Sequence, residues 1–207
     1  MSIQKLKTVQ SFIVNHIGKT LRNGDEGLSH YEAVLKKQGS KKTVVFKEFN
    51  IELIIDADYG DSIYVALLRK SKRVVGFLEV DLLYGAVMGS YIQKEFQGKG
   101  LGFALYGTAL KDKKVLRSDS SLSKGSSILW GKLCTAYKGC VLLRKGNRRI
   151  PIVRFVTGPK YKGYTFPVVK NVRGEEVCLD SRNIPTGPAG RTAENVALRD
   201  YVYEIRL

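Results

Sequence analysis

Apolar positions along the chain follow two different periods, and the change between them marks the first structural boundary. Near the N-terminus they recur at three- and four-residue steps, which predicts helix over the first 43 residues. The residues that carry this period are Leu6, Val9, Phe12, Ile13 and Ile17. From Val44 the period becomes two, as in a strand with one wet face. Its apolar positions are Phe49, Ile51, Leu53 and Ile55, and its polar ones are Glu48, Asn50 and Glu52.

A β-hairpin and a third strand follow this first strand. Ile63 to Leu68 and Val74 to Leu83 are mostly apolar runs, and the charged turn Arg69 to Arg73 separates them. Ala86 to Ile92 predicts the next strand. The glycine-rich segment QGKGLG then leads directly into a helix, whose apolar stripe is Leu101, Ala104, Leu105, Thr108 and Ala109.

The second half of the chain alternates short strands with one helix. That helix follows capping serines in SDSSLSKGSSILWGKL, with Leu122, Leu129 and Leu133 on one side. The predicted strands are Lys114 to Arg117, Gly139 to Arg144, Ile150 to Val156, Tyr164 to Val169 and Tyr201 to Leu207. In the last of these, Tyr201, Tyr203, Ile205 and Leu207 alternate with polar partners. A Pro/Gly loop is expected at Asn183 to Arg191.

The length and composition predict one globular domain. The chain has 207 residues, of which 43% are hydrophobic, so a sizeable core can form. We expect a helical segment over residues 1–43, a core over 44–156 and further strands and a loop over 157–207. Those last residues are expected to complete the sheet and to cover part of a substrate cleft. An interface through the final edge strand is the alternative, so an oligomer is kept as an expectation.

Cysteine usage and hydropathy indicate where the protein resides. Cys134, Cys140 and Cys178 have no metal-ligand spacing, and His16 and His30 lie far from them, which argues for a reducing compartment and against a metal site. No signal peptide is recognisable, and the longest apolar stretch contains two acidic residues, so it cannot span a bilayer. A cytoplasmic protein is predicted.

Charge is the strongest bulk signal. Thirty-five basic residues stand against 19 acidic ones, a net charge of +16. Between Lys111 and Thr165 there are 14 Lys or Arg and two acids, Asp112 and Asp119, so this stretch carries +12. Clustered cations of this kind attract polyanions such as nucleic acid. The alternatives are a solvated basic face, or cations that partly serve the phosphates of a cofactor.

The segment QGKGLG has the physical character of an anion site. A helix N-terminus presents unpaired backbone N–H groups, and Gly98, Gly100 and Gly102 remove side chains that would keep a phosphate from them. The spacing fits neither a nucleoside-triphosphate loop nor a dinucleotide fingerprint. A tight turn that allows close helix packing is the alternative explanation.

The wider context, AVMGSYIQKEFQGKGLGFALYGTAL, resembles the acetyl-CoA-binding motif of the GNAT (N-acetyltransferase) family. Gln97, Gly100 and Gly102 stand at its three defining positions, and Gly98 and Lys99 match its commonest fillers. The resemblance implies a mixed α/β (α+β) fold. In that fold a mostly antiparallel sheet is flanked by helices, and its splayed strands form an acyl-CoA cleft.

The same resemblance implies a set of cofactor-binding residues. Backbone amides of Gln97, Gly98, Lys99, Gly100, Leu101 and Gly102 would hold the pyrophosphate of acetyl-CoA. Backbone groups of Tyr91 and Ile92 would pair with the pantetheine arm as an added strand does. The segment VLRSDSSLSKGSSILWGKL is similar to the family's last strand and helix, and SDSSLS…LW is similar to phage-encoded members.

Two departures from the family pattern bear on catalysis. Trp130 stands where many members have a Tyr that acts as general acid, and the strand Ala86 to Ile92 contains no acid. The candidates for moving a proton are therefore Glu79, Asp119 and Ser123. The alternatives are solvated carboxylates for the two acids and helix capping for the serine.

These observations predict an acetyl-CoA-dependent N-acyltransferase. The amine acceptor would be acidic or associated with nucleic acid, and residues 111–165 would recruit it. The alternative is a GNAT-like protein without catalysis that binds nucleic acid, or a structural component of a phage particle.

Overall fold

A computed structural model describes residues 24–56, 61–119, 121–137, 139–144, 148–157, 163–179, 195–197 and 201–207. Within these ranges lie three α-helices: α1 (Gly24–Gln38), α2 (Leu101–Lys113) and α3 (Lys124–Ala136). A short 3-10 helix covers Lys94–Phe96. The N-terminal helix predicted from Leu6 to Ile17, and the loop from Asn183 to Arg191, lie outside the described residues.

The described strands form mostly antiparallel ladders. They are β1 (Lys42–Phe46), β2 (Phe49–Asp56), β3 (Asp61–Leu68), β4 (Val74–Asp81), β5 (Val87–Ile92), β6 (Val115–Arg117), β7 (Ser121–Ser123), β8 (Val141–Arg144), β9 (Arg148–Thr157), β10 (Thr165–Lys170), β11 (Glu176–Cys178), β12 (Asn195–Ala197) and β13 (Tyr201–Arg206). One sheet has the order β1-β2-β3-β4-β5 and a second has the order β11-β10-β9-β8-β13-β6. This mixed α+β architecture confirms the predicted fold class.

The chain separates into two compact units. The first comprises Met1–Glu79 and Met88–Leu101, and the second comprises Val80–Val87 and Gly102–Leu207. In the first, α1 buries Leu28 and Tyr31 against Ile63, Val65 and other apolar side chains of β2 to β4. Removal of this apolar surface from water is the main stabilising term for such a helix.

One feature near the N-terminal end of this unit differs from the sequence-based expectation. A hydrogen-bonded hairpin of two strands stands where a single strand was predicted from Val44. The hairpin pairs β1 with β2, and Lys47 makes its turn with a left-handed φ of 52°. The apolar positions change phase at this turn, from Val44 and Phe46 to Phe49 and Ile51. The single-strand interpretation overlooked that change.

The core of the second unit forms around Trp130 of α3. Its indole is 1% exposed, stacks on Tyr203 of β13 at 5.7 Å between centroids, and meets Tyr106 of α2 edge-on at 5.8 Å. β13 itself lies between β6 and β8 and pairs antiparallel with both. Leu122, which was expected on the helix, lies in β7 immediately before it.

The cysteines are paired differently from what a reducing compartment favours. Cys134 and Cys140 form a disulfide bond with Cα atoms 5.0 Å apart, and Cys178 takes no part in this disulfide. Disulfides persist mainly in oxidising environments, so this pairing runs against the expectation drawn from cysteine spacing. Cys134 lies in the last turn of α3, and Cys140 lies six residues later. Nothing in the sequence indicated that the end of this helix would bring the two cysteines together.

Candidate functional site

The candidate site begins at the 3-10 helix after β5, which a buried aromatic anchors. The Phe96 ring is buried and meets Phe49 edge-on at 5.7 Å. Arg73 lies over the same ring and pairs with Glu95 at 2.6 Å. These contacts fix the position at which the chain turns toward α2.

Gln97 ties the turn to the end of β5. Its backbone is extended, with φ −68° and ψ 156°, and its side-chain Nε2 donates to the carbonyl of Ile92 at 2.8 Å. A glutamine has one amide donor group and one carbonyl acceptor, so it can hold the strand end while its backbone N–H points elsewhere. Here that backbone N–H donates to the carbonyl of Lys94.

Two glycines give the turn its shape. Gly98 and Gly100 adopt left-handed φ values of 75° and 84°, which L side chains rarely adopt. A Cβ at Gly98 would meet nothing within 4 Å, and one at Gly100 would meet only Phe46, at 3.7 Å. The space beside both glycines is therefore open, and the need for glycine is conformational. Close helix packing therefore does not explain why residues 98 and 100 are glycines.

Two lysine side chains lie at the exposed turn. Lys47, at the β1–β2 turn, donates from Nζ to the carbonyl of Lys99 at 3.1 Å, and the Lys99 ammonium lies 5.0 Å from the Phe96 ring centroid. Sequence analysis identified Lys99 but missed Lys47. The phase change of apolar positions around residue 47 is the signal that could have identified the hairpin tip.

The turn opens directly into α2, whose first residue Leu101 is buried. The first turn of this helix contains no acidic side chain, so nothing there opposes an anion. Leu105 and Ala109 are also buried, which confirms the predicted apolar stripe at those positions. The first N–H groups of an α-helix lack intrahelical acceptors, and glycine at 102 leaves them without a covering side chain. Because the Gln97 backbone N–H is used by the Lys94 carbonyl, the donors suited to a phosphate or pyrophosphate are those of the segment from Gly98 to Gly102.

The predicted pantetheine-binding residues close β5. Tyr91 packs beside Phe77 at 6.3 Å between ring centroids, and both Tyr91 and Ile92 are half-buried. The Ile92 carbonyl already accepts from Gln97, and a carbonyl has a second lone pair for another donor. A Cβ at Gly76 would approach the Tyr91 carbonyl oxygen to 2.9 Å, so glycine at 76 allows β4 to lie this close to the end of β5.

Glu79 is the buried member of the three catalytic candidates. Its carboxylate is 8% exposed and accepts a hydrogen bond from the Tyr31 hydroxyl of α1 at 2.9 Å. The Tyr31 ring packs edge-on against Phe77 at 4.8 Å. Burying a carboxylate costs free energy unless it is hydrogen-bonded, so the hydrogen bond from Tyr31 stabilises Glu79 in its buried position.

The other two catalytic candidates are exposed. Asp119 follows β6 and is exposed. Ser123 is exposed and caps α3: its Oγ accepts from the backbone N–H of Ser126 at 3.2 Å. The neighbouring Ser118 is buried and accepts from the Tyr203 backbone N–H at 2.9 Å. The two serines are thus engaged in backbone hydrogen bonds.

Trp130 stands in the core of its unit, where its ring contacts the rings of Tyr106 and Tyr203. The resemblance had aligned it with a tyrosine that protonates the departing thiolate. A nearly fully buried indole has no titratable proton to supply, so its packing accounts for this position.

Comparison with known proteins finds a family match over part of the chain. Residues 30–119 match the model of the acetyltransferase (GNAT) family, and that range includes the whole glycine turn. This stretch of the chain is a GNAT acetyltransferase domain. No curated protein matches the chain. The similarity to phage-encoded members stays an expectation.

The family assignment carries general functional statements. A GNAT domain supports acetyltransferase-type activity and implies binding of an acyl-CoA, and the family typically uses acetyl-CoA. Across the described ranges, none of the helices has the length and apolar character needed to cross a bilayer. The same residues contain no cluster of His, Cys, Asp and Glu that could hold a metal ion.

Proposed function

We propose that this protein transfers an acetyl group from acetyl-CoA to an amine. The observation that carries the proposal is the glycine turn Gln97–Gly102, which is exposed from Gln97 to Gly100 and leads into α2. Its two left-handed glycines and the acid-free start of α2 leave backbone donors open to a pyrophosphate. The Lys47 and Lys99 ammonium groups add positive charge beside it.

The same turn would orient the acyl donor. With the pyrophosphate at the α2 N-terminus, the pantetheine arm would run along the end of β5 beside Tyr91 and Ile92. A backbone N–H at that strand end would polarise the thioester carbonyl as the amine attacks it. The carbon–nitrogen bond forms, the carbon–sulfur bond breaks, and the proton lost by the amine must reach a base.

Glu79 is the base that we favour among the three candidates. It is buried and hydrogen-bonded by a single neutral donor, Tyr31, so its carboxylate retains lone pairs for a proton carried directly or through one water. Asp119 is an exposed carboxylate, and Ser123 is engaged in capping α3. The acceptor is proposed to be an amine on an acidic molecule, because the chain carries a net charge of +16.

The experiment that tests the proposal is calorimetric titration of acetyl-CoA into the protein and into Gly100→Glu. The variant places a carboxylate in the open space beside Gly100 and forces a side chain into left-handed φ, so binding should fall at least a hundred-fold. Gly174→Glu is the matched control, since Gly174 also has a φ of 80° and open space but lies between β10 and β11. Absence of acetyl-CoA binding by the unmodified protein would contradict the proposal.

A second candidate function is a GNAT-like protein that binds nucleic acid without catalysis. Two observations favour it: Trp130 is packed in the core, and β5 has no acidic residue. Under this alternative, the protein would bind DNA or RNA with strong salt dependence, and no amine screened with acetyl-CoA would be acetylated.

A further inference from the structure

The second unit contains a cavity that the proposed acetyl transfer does not use. Its volume is about 250 Å³, and it is lined by the loop of residues 82–85, by Lys113 at the end of α2, and by Val115, Arg117 and Arg206. Lys113 is twelve residues along α2 from Leu101, at the opposite end of that helix from the glycine turn. The cavity is therefore a separate place on the chain with its own chemistry.

Its cationic wall is organised by a buried carboxylate. Glu204 of β13 is fully buried and accepts from Arg117 Nε at 2.8 Å, from Arg206 Nε at 2.7 Å and from Arg149 Nη2 at 2.9 Å. Burial raises the pKa of the Glu204 carboxyl, but hydrogen bonds and charge from Arg206 and Arg117 outweigh it. The pKa therefore lies below its ordinary value. One fixed negative charge thus holds three guanidinium groups in place.

The two arginines that line the cavity keep donors for a ligand. Their side chains are 28% exposed at Arg117 and 48% exposed at Arg206. Glu204 takes one N–H group from Arg117 and two from Arg206, so most of their donors point elsewhere. Guanidinium groups with fixed orientation are well suited to bidentate binding of a phosphate.

Lys113 adds a third cation that is partly desolvated. Burial lowers the pKa of its ammonium, while Asp112 and Asp81 act in the opposite direction. Around the cavity there are four cations and three carboxylates, which leaves one excess positive charge. The cations are Lys113, Arg117, Arg149 and Arg206, and the carboxylates are Glu204, Asp81 and Asp112. An anion that entered it would relieve the cost of holding these cations close together.

The loop of residues 82–85 forms an apolar part of the lining. The Asp81 carboxylate accepts from the backbone N–H groups of Leu83 and Tyr84 at 2.9 and 2.6 Å, which fixes the turn. Leu83 is 81% exposed and Tyr84 is 64% exposed. Adjacent apolar side chains held out into solvent by a fixed backbone are uncommon, and they are typical of a binding surface.

The loop is anchored against β6, where Arg117 lies. Gly85 has a φ of 66°, and a Cβ there would approach the Val115 carbonyl oxygen to 2.4 Å, so only glycine fits. The Gly85 carbonyl accepts from the Arg117 backbone N–H at 2.8 Å, and Ala86 makes a parallel bridge with Arg117. The loop and Arg117 are therefore held by the same strand, β6, and Arg206 lies on β13, which pairs with β6.

We propose that this cavity binds a nucleotide, with the phosphate on the guanidinium groups of Arg117 and Arg206 and the base against the Tyr84 ring. A phosphate fits oriented guanidinium donors, and a base stacks on an exposed aromatic regardless of its identity. The cationic wall alone would accept any small anion, but the adjacent exposed tyrosine favours one that carries an aromatic group. The site is independent of the proposed acetyl transfer.

The test is a titration of AMP into Gly100→Glu protein, in which the glycine turn cannot compete for the nucleotide. AMP should bind, and adenosine, which lacks the phosphate, should bind at least ten-fold more weakly. Tyr84→Ala should weaken AMP binding about five-fold or more. Arg206→Gln should weaken it about ten-fold. Arg154→Gln is the matched control, because Arg154 lies on β9 of the same sheet in an exposed pair with Glu176.

A 5′-phosphorylated oligodeoxyadenylate distinguishes the source of the nucleotide. Tighter binding of the oligomer than of AMP would assign the site to a nucleic-acid strand, and equal binding would assign it to a free nucleotide. The proposal is overturned if AMP does not bind, or if Arg154→Gln weakens binding as much as Arg206→Gln. Should Arg206→Gln fail to fold, Tyr84→Ala and Lys113→Gln leave the Glu204 hydrogen bonds intact and decide the question.

Discussion

Glu79 and Glu204 are both buried carboxylates, yet the groups that compensate them differ. Glu204 accepts hydrogen bonds from three arginines, whereas Glu79 accepts one from the neutral hydroxyl of Tyr31. Three cations on one carboxylate stabilise its charged form and oppose protonation. A neutral donor satisfies a carboxylate without preventing it from taking a proton.

This difference separates a structural carboxylate from one suited to chemistry. Glu204 fixes the strands β6, β9 and β13 through its arginines, so its loss should appear as lost stability. Glu79 sits beside an aromatic group of α1 and β4, so its replacement by an amide of the same shape should appear mainly as lost activity. The predictions that follow test this contrast from the largest effect to the smallest.

Glu204→Gln should lower the free energy of unfolding by about 3 kcal/mol, because three guanidinium groups would remain around an uncharged, buried amide. The value is at the low end for a buried ion pair, since Arg149 and Arg206 are about half exposed and can turn toward water. Urea denaturation at neutral pH measures it. Glu176→Gln is the control: its pair with Arg154 is exposed and should contribute under about 1 kcal/mol.

The same contribution should depend on pH with a definite sign. The pKa of Glu204 is lower in the folded protein than its ordinary value of 4.5. The carboxylate therefore stabilises the fold above that pH, and the contribution is lost as pH falls through the lower, folded value. The stability gap between the unmodified protein and Glu204→Gln should shrink in this acidic window. A gap that stayed constant there would show that the arginines do not act through charge.

The sequence predicted local elements well and long-range compensation poorly. Period-two and period-3.6 patterns are local, so the β3–β4 hairpin, β5 and α2 could be found from them. Glu204 looked like an ordinary polar position of an alternating strand. Its partners Arg149 and Arg117 lie 55 and 87 residues away, and only the pairing of β13 with β6 and β8 brings them near it.

The candidate site was predictable to the same extent. The glycine turn and helix start are contiguous in sequence, so their residues could be named in advance. Lys47 and Tyr31 could not, because they reach Lys99 and Glu79 from elements 52 and 48 residues away. The spacing of residues along the sequence does not predict such long-range contacts, unless both residues belong to a motif that is already known.

Glu79→Gln should lower the rate of acetyl transfer at least a hundred-fold if Glu79 is the base, because general-base catalysis typically contributes that much or more. A glutamine oxygen still accepts from Tyr31, so stability and acetyl-CoA affinity should change little. Steady-state kinetics with calorimetry measures both. Asp119→Asn should be almost neutral, and Ser123→Ala should only cost α3 its cap, about 1 kcal/mol of stability. A large rate loss in either of these, with Glu79→Gln active, would assign the base elsewhere.

Tyr31→Phe should have the smallest effect, a fall of about ten-fold in turnover with a stability loss of about 1 kcal/mol. The phenyl ring keeps the contact with Phe77, and the hydrogen bond from the hydroxyl to Glu79 is lost. Tyr31 is a positioning residue if this loss acts through Glu79. The double variant Tyr31→Phe with Glu79→Gln should then be no slower than Glu79→Gln alone, because partners in one interaction are not additive. Additive losses of turnover would show that Tyr31 supports the fold of α1 and not the orientation of the carboxylate.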